Sequence, residues 1–408
     1  MRRGITMKIA VLPIKSSLHD DVYINEETKK LLNEIESLGD YSFRLSNLSD
    51  FYNDDLSVIL VQSGGSEGHF LEMEQNLKEP FYLLTYGSNN SLAASMEILS
   101  YLQNKNKLAE ILHGTPKYIA SRLSNLENQQ KQINKPVNLG VVGKPSDWLI
   151  ASNVDYDKCL KELNINLVDI SIDELISEYK CANITGYEET TKLDFDKSEV
   201  IESKKLSKAL ETLINKYELK GLTLRCFDLI GKIHTTGCLG LSLLNRNKLI
   251  GTCEGDIPAM LSMYFLNKIT GQPGFQANPS RIDTDKNEIV FAHCTLPLDM
   301  AKNYEVMTHY ESGIGVALRG EMEETDITIF KLSNNLKDYY VAEGTITENL
   351  HEKNLCRTQI NIKLNDVTYF LTFPYGNHHI IVYGKHKDKI NRYMMNKSYL
   401  FDQFEVIK

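Results

Sequence analysis

Apolar runs alternate with amphipathic segments over residues 7–110. The run "KIAVLPI" is typical of a buried strand, "TKKLLNEIESLG" has the spacing of a helix that ends at a glycine, and "LSVILVQSGG" is a strand entering a glycine loop. Strands covered by helices on both faces are recognised as continuous apolar runs, so this pattern predicts a parallel, doubly wound sheet. We assign residues 1–125 to an N-terminal α/β domain.

The same alternation restarts after a polar segment at 126–138, with the apolar runs "NLGVVG", "INLVDISI" and "LKGLTLRCF". It predicts a second α/β domain over 137–310. From residue 311 the apolar segments become short and alternating, as in "ITIFKLS" and "TQINIKL", which is typical of antiparallel strands. The predicted fold is therefore two doubly wound, Rossmann-like parallel-sheet domains followed by an antiparallel, barrel-like β domain at 311–408.

Composition narrows the class of protein. A chain of 408 residues with a net charge of −9 suits two or three domains and lacks the basic surface that nucleic-acid binding requires. No apolar run approaches the roughly 18 residues of a membrane span, and the apolar part of the basic N-terminus is too short for a signal peptide. Seven scattered cysteines without a CxxC pair fit a reducing compartment, so we expect a cytoplasmic protein.

The most informative stretch is "CEGDIPAMLSMYFLNKITGQP", which places Glu254 and Asp256 in the first turn of an apolar helix and Pro258 at an early helical position. Acidic residues there often only cap the helix. However, Glu254 also follows the strand-like "NKLIGTC", and α/β sheets bind ligands at the carboxyl ends of their strands. Capping and a functional site are thus both open interpretations.

The Glu-x-Asp pair, the apolar helix and the following Thr-Gly-x-Pro turn resemble the L-fucose and L-arabinose isomerase superfamily, as does the domain order. The resemblance implies an aldose–ketose isomerase with one Mn²⁺, or another divalent cation, bound by a glutamate, an aspartate and a histidine. Glu254 matches the metal-binding and catalytic glutamate. The residue 24 positions later, where the family has the aspartate, is Asn278.

Asn278 could bind a metal or the substrate through its amide oxygen, but an amide cannot act as a general base. Asp283 could replace the missing acid if the loop "FQANPSRID" folds back, or it could simply pair with Arg281.

The family histidine should come from "GNHHIIVYG". Because neighbouring residues of a strand face opposite sides, only one of His378 and His379 can point into the site. We favour His378 as a metal ligand, since it is nearer the turn. His293 resembles an additional histidine of the arabinose branch, which could bind the metal or substrate hydroxyls.

Two further residues are candidate substrate contacts. Arg225 ends a predicted strand and could bind an anionic group, although a salt bridge at a domain boundary is the simpler interpretation. Trp148 could stack on a sugar ring, although a single tryptophan usually serves packing.

The leading hypothesis is isomerisation of a monosaccharide through a metal-bound enediolate, in a homo-oligomer (trimer or hexamer) as the family implies. One alternative is related chemistry on an anionic or phosphorylated sugar held by Arg225 or Lys144, including a lyase or epimerase step. Another is a non-catalytic cytosolic sugar-binding protein. Nucleophilic chemistry at Cys253 or Cys294 ranks last, because neither has an evident base.

Overall fold

A computed structural model describes residues 6–16, 21–105, 107–130, 136–185 and 195–395. The described chain divides into two compact units, residues 6–130 with 394–395 and residues 136–393. Within the described residues, no helix is long and apolar enough to cross a membrane.

The first unit is a parallel sheet with helices between its strands. Its elements are β1 (Met7–Ile14), α1 (Asp21–Glu36), β2 (Tyr41–Leu45), β3 (Leu56–Val61), α2 (Glu67–Met73), β4 (Phe81–Leu84), α3 (Ser91–Asn104), β5 (Ala109–Leu112) and α4 (Pro116–Gln130). The strand order is β2-β1-β3-β4-β5, and every pair is parallel. Alternate residues of β3 enter two different apolar clusters, one containing Val58 and the other Ile59, which explains its continuous apolar sequence.

The second unit begins with another parallel sheet. Its elements are β6 (Val137–Val142), α5 (Tyr156–Leu163), β7 (Ile165–Ile170), α6 (Ile172–Cys181), α7 (Lys197–Lys216), β8 (Gly221–Leu224), α8 (Phe227–Ile233), α9 (Cys238–Arg246), β9 (Ile250–Cys253) and α10 (Ile257–Thr270). The strand order is β7-β6-β8-β9, again with parallel pairs.

The chain then forms a closed antiparallel barrel. The remaining elements are β10 (Phe275–Asp283), β11 (Glu288–His293), β12 (Asn303–Met307), β13 (Ala317–Glu321), β14 (Asp326–Leu332), β15 (Tyr339–Asn349), β16 (Thr358–Leu364), α11 (Thr368–Thr372), β17 (His379–Tyr383) and α12 (Lys387–Met395). The barrel order is β10-β11-β16-β15-β14-β17, and β12 and β13 form a separate pair.

The mixed α/β class, the parallel sheets and the antiparallel barrel confirm the sequence prediction at that level. The expected loop at 275–283 is wrong, because this segment is β10, which pairs with both β11 and β17. Part of the expected polar linker at 126–138 also differs, since α4 extends to Gln130. Two barrel strands precede residue 311, and the predicted domain boundaries stay a prediction.

Candidate metal centre and active site

Glu254 lies at the junction between β9 and α10. Its backbone φ of +64° and the φ of +73° at Gly255 turn the chain sharply after the strand. Asp256 then caps α10 by accepting a hydrogen bond from the Ala259 amide at 2.8 Å. The capping interpretation therefore holds for Asp256, whereas Glu254 precedes the cap and lies at the carboxyl end of a parallel strand, where α/β sheets bind ligands.

Three side chains from distant segments converge beside this junction. Glu254, His293 and His378 each offer one ligand atom, and these atoms lie within 4.8 Å of one another. His293 ends β11 and His378 directly precedes β17. Their ring centroids are 5.4 Å apart, and both rings are buried. We call these three residues the cluster.

A buried carboxylate orients one histidine of the cluster. His378 Nδ1 donates to Asp256 Oδ2 at 2.9 Å, and Lys331 Nζ lies 3.4 Å from the other Asp256 oxygen. The second ring nitrogen, His378 Nε2, is buried without a hydrogen-bond partner among the described residues and lies 3.5 Å from Glu254 Oε1. A histidine that donates through one nitrogen to a carboxylate and leaves the other free is the usual arrangement of a metal ligand.

Burial and pairing oppose each other in the electrostatics of the cluster. Burial raises the pKa of Glu254, but pairing with His378 and a hydrogen bond from Trp148 lower that pKa to about 2. Burial lowers the pKa of His378, but Asp256 and Glu254 raise it to about 9. Burial lowers the pKa of His293 to about 3, so this ring is neutral and able to coordinate.

The donor set fits a divalent transition metal. Two imidazole nitrogens and one carboxylate oxygen suit Mn²⁺, Co²⁺ or Zn²⁺ better than Ca²⁺, because Ca²⁺ prefers ligands that are all oxygen atoms. The unpartnered His378 Nε2 supports this, because a buried polar atom without a partner costs stability unless a ligand satisfies it.

A row of aromatic rings extends from the cluster. Trp148 Nε1 donates to Glu254 Oε2 at 2.9 Å while half of its side chain stays exposed. Its ring contacts Phe227, and the Phe227 ring contacts His309. His309 in turn pairs with Glu311 at 3.2 Å. Trp148 thus lies at the surface beside the cluster, where a substrate could reach it.

Asn278 lies next to the cluster through an amide contact. Asn377 Nδ2 donates to Asn278 Oδ1 at 3.1 Å, and Asn377 Oδ1 accepts from the backbone amide of His378. The structure thus places Asn278 beside the turn that presents His378, and its metal or substrate role stays a prediction.

Three other candidates have different surroundings. Asp283 lies at the far end of β10, where it accepts from the Lys286 amide at 3.0 Å, and the structure does not bring it to the cluster. His379 points away, with hydrogen bonds to the Asn377 carbonyl and to Tyr369. Arg225 forms salt bridges with two carboxylates, Asp147 and Asp228, which agrees with the simpler of the two interpretations offered from the sequence.

Three residues near the cluster were not predicted from the sequence: Lys331, His309 and Glu311. Lys331 had a visible signal, since it lies between Phe330 and Leu332 in a mostly apolar segment, and in the structure it is 1% exposed. His309 and Glu311 lie in the connection between β12 and β13, which carries no local pattern.

Comparisons with known proteins point to isomerases. No family model matches the chain. Sulfoquinovose isomerases of Priestia aryabhattai and Priestia megaterium are each 24% identical over 323 residues, which cover 72% of this chain and 71% of each relative. The sulfoquinovose isomerase of Alkalicoccus urumqiensis is 22% identical over 270 residues, covering 61% of this chain and 60% of that protein.

Among solved structures, D-threo-3-hydroxyaspartate dehydratase from Delftia sp. HT23 aligns over 92% of this chain and 82% of its own. Its TM-score is 0.14 and its identity to this chain is 10%. The sequence relatives support an isomerase enzyme related to sugar isomerases, and membership of the fucose isomerase superfamily stays a prediction.

Proposed function

We propose that this protein is an aldose–ketose isomerase of the fucose isomerase type, acting on an anionic sugar of the sulfoquinovose class. The observation that carries the proposal is the cluster of Glu254, His293 and His378 at the carboxyl end of β9. The names of the relatives supply the substrate class, since sulfoquinovose is an aldose that carries a sulfonate. The two doubly wound domains, the homo-oligomer and the cytoplasmic location belong to the same proposal.

The cluster would hold Mn²⁺ or a similar cation, with His378 oriented by Asp256. When bound, such a cation polarises the sugar carbonyl and acidifies the proton on the neighbouring carbon. The protein would contribute a buried environment that excludes water and would hold the two histidine rings in fixed positions.

Proton transfer between carbons 1 and 2 requires a group that first accepts and then returns a proton. Glu254 is ionised at neutral pH because its pKa is lowered, so it is in the protonation state that a proton acceptor needs. Asn278 cannot take part in this proton transfer, because an amide does not act as a general base. Glu311 is a second carboxyl whose charge interacts with that of Glu254, and burial raises its pKa, so we propose it as the partner acid.

Activity measurements test the proposal directly. The metal-stripped protein is reloaded with Mn²⁺, and conversion of sulfoquinovose to its ketose is followed in ²H₂O, where deuterium at the transferred position reports proton transfer. We expect Glu254→Gln to lower kcat at least about 100-fold, and Glu311→Gln to lower it less.

Asp283→Asn is the matched control, because this acid lies at the far end of β10 and its substitution should change kcat by no more than about twofold. A wild-type protein that converts no aldose or ketose with any divalent metal would refute the proposed function. Equal losses in Glu254→Gln and Asp283→Asn would refute the assigned role of Glu254.

A further inference from the structure

Arg357 is a half-buried arginine just before β16 that has no carboxylate partner among the described residues. Its Nε donates to the Thr308 carbonyl oxygen at 2.7 Å, and its Nη2 donates to Thr308 Oγ1 at 3.1 Å. The guanidinium carbon lies 5.8 Å from the centre of the Tyr310 ring. These contacts fix the guanidinium plane and leave Nη1 without a hydrogen bond in the described part of the chain.

Other arginines of the same unit are already neutralised. Arg225 pairs with Asp147 and Asp228, Arg281 pairs with Glu352, and Arg319 pairs with Glu305. A guanidinium that is oriented but not neutralised has donors available for an anion, because each of its N–H groups can donate one hydrogen bond.

Two observations place Arg357 at the end of the barrel where the cluster lies. In the pairing of β11 with β16, His293 is opposite Thr358, the residue that follows Arg357. Arg357 also donates to the carbonyl oxygen of Thr308, the residue directly before His309, whose ring contacts Phe227. The row of rings from Trp148 through Phe227 to His309 therefore connects Glu254 with the surroundings of Arg357.

We propose that Arg357 binds the anionic group of the substrate while the cluster binds the carbonyl end of the sugar. This inference rests on the proposed function and assigns anion recognition to Arg357 instead of Arg225, one of the candidates considered from the sequence. A sulfonate offers three acceptor oxygens, and a planar guanidinium with two adjacent N–H groups matches two of them. The contacts with Thr308 and Tyr310 hold the group in place before the substrate arrives, which limits the entropy lost on binding.

Steady-state kinetics with a charged and a neutral sugar test the inference. KM and kcat are measured for sulfoquinovose and for glucose, which has a hydroxyl where sulfoquinovose has the sulfonate. In Arg357→Gln we expect KM for sulfoquinovose to rise about 10- to 100-fold, while KM for glucose changes by less than about threefold. Arg357→Lys, which keeps the charge but loses the paired donors, should give an intermediate KM.

Arg281→Gln is the matched control, since it removes an arginine of the same barrel that is paired at the surface, and both KM values should stay unchanged. If the wild type converts only the sulfonated sugar, a rise in KM at nearly constant kcat supports the inference, and a loss of kcat at constant KM overturns it. If Arg357→Gln does not fold, Arg357→Lys decides by the same criterion.

Two results separate the inference from the proposed function. An active wild type whose Arg357→Gln variant behaves like Arg281→Gln, or loses both sugars equally, overturns the inference alone. A wild type that does not convert sulfoquinovose overturns the proposed function, and the inference fails with it.

Discussion

At the scale of single residues, the buried charges around Asp256 form a compensated set. Asp256 is fully buried between Lys331 and His378, which are themselves 1% and 0% exposed. Moving one charge out of water costs several kcal/mol, so such groups persist only when each has a partner. Asp256 serves two partners at once: it neutralises the lysine and orients the ring that belongs to the cluster.

Replacing Asp256 with asparagine should therefore have two separable effects. Lys331 would be left buried without a counter-charge, so we expect the free energy of unfolding to fall by about 3–5 kcal/mol. His378 would also lose its carboxylate, and metal affinity should fall about 10- to 100-fold. Denaturant titration measures the first effect, and calorimetric Mn²⁺ titration measures the second.

The double variant Asp256→Asn with Lys331→Met distinguishes the two effects. It removes the unpaired cation, so stability should recover in part while the metal affinity stays low. Wild-type metal affinity in Asp256→Asn would show that this carboxylate does not support the cluster.

The structure brings Glu254, His293 and His378 together, and each of these positions could be named from the sequence. The alternation of a strand limited the choice at 378–379 to one histidine, and the structure places His378 in the cluster. Lys331 could also have been named, because it lies between two apolar residues of β14. Arg357 could not, because its distinguishing contacts are with Thr308 and Tyr310, far away in the chain.

At the scale of elements, the turn from β9 into α10 determines where Glu254 points. Gly255 permits this turn because it has no Cβ. A Cβ at this position would lie 2.2 Å from the Lys144 carbonyl oxygen, and any other residue would also be strained by the φ of +73°. Lys144 belongs to the segment that also donates the Ser146 amide to the Glu254 carbonyl oxygen at 2.9 Å. Two backbone segments thus meet at a position where a side chain cannot fit.

We expect Gly255→Ala to destabilise the fold by more than the roughly 1–2 kcal/mol of left-handed strain alone, and to lower metal affinity because Glu254 must move. Gly271→Ala is the matched control: its φ is +71°, but no atom of the described residues lies within 4 Å of the added Cβ. That variant should show the strain alone and bind Mn²⁺ normally. Unfolding curves and metal titrations of both variants make the comparison. Equal behaviour of the two alanine variants would contradict the importance of this close approach.

Parallel strands and their helices were predictable because burial on both faces leaves continuous apolar runs, as in β3. The segment 275–283 was not, because "NPSRID" carries a proline and mostly polar residues that resemble a loop. In the structure its register shifts between Pro279 and Arg281, and a shift of this kind lets a strand continue through residues with poor strand propensity.

At the scale of the whole chain, closure of the barrel creates the cluster. β10 follows α10 directly but pairs with β17, placing Ala277 opposite His379 and so bringing His378 to the head of α10. Local periodicity contains no information about a pairing over this separation, which is why only the resemblance to a known family could suggest it. All three residues of the cluster belong to the second compact unit.

The state of His378 links metal binding to the stability of that unit. Without metal, the folded-state pKa of about 9 exceeds the ordinary histidine value of 6.5. Its contribution to stability is therefore complete below about pH 6.5 and is lost as the pH rises through about 9. A metal requires the neutral ring, so binding below pH 9 must displace a proton.

Mn²⁺ should consequently raise the Tm of the protein, and the rise should grow with pH. A ligand present at 100 times its Kd stabilises the folded state by about 2.7 kcal/mol. When binding displaces one proton, the metal affinity rises about tenfold for each unit by which the pH increases toward the pKa of that group. We expect the difference in Tm between Mn²⁺ and chelator to increase from pH 6.5 to pH 8.5 at a fixed metal concentration. Calorimetric scans of the wild type and Glu254→Gln provide the measurement, with no shift expected in the variant. Metal bound at the cluster must displace the His378 proton, so a Tm increase that is independent of pH would place metal binding elsewhere in the molecule. An equal increase in Glu254→Gln would lead to the same conclusion, because this substitution removes a ligand of the cluster.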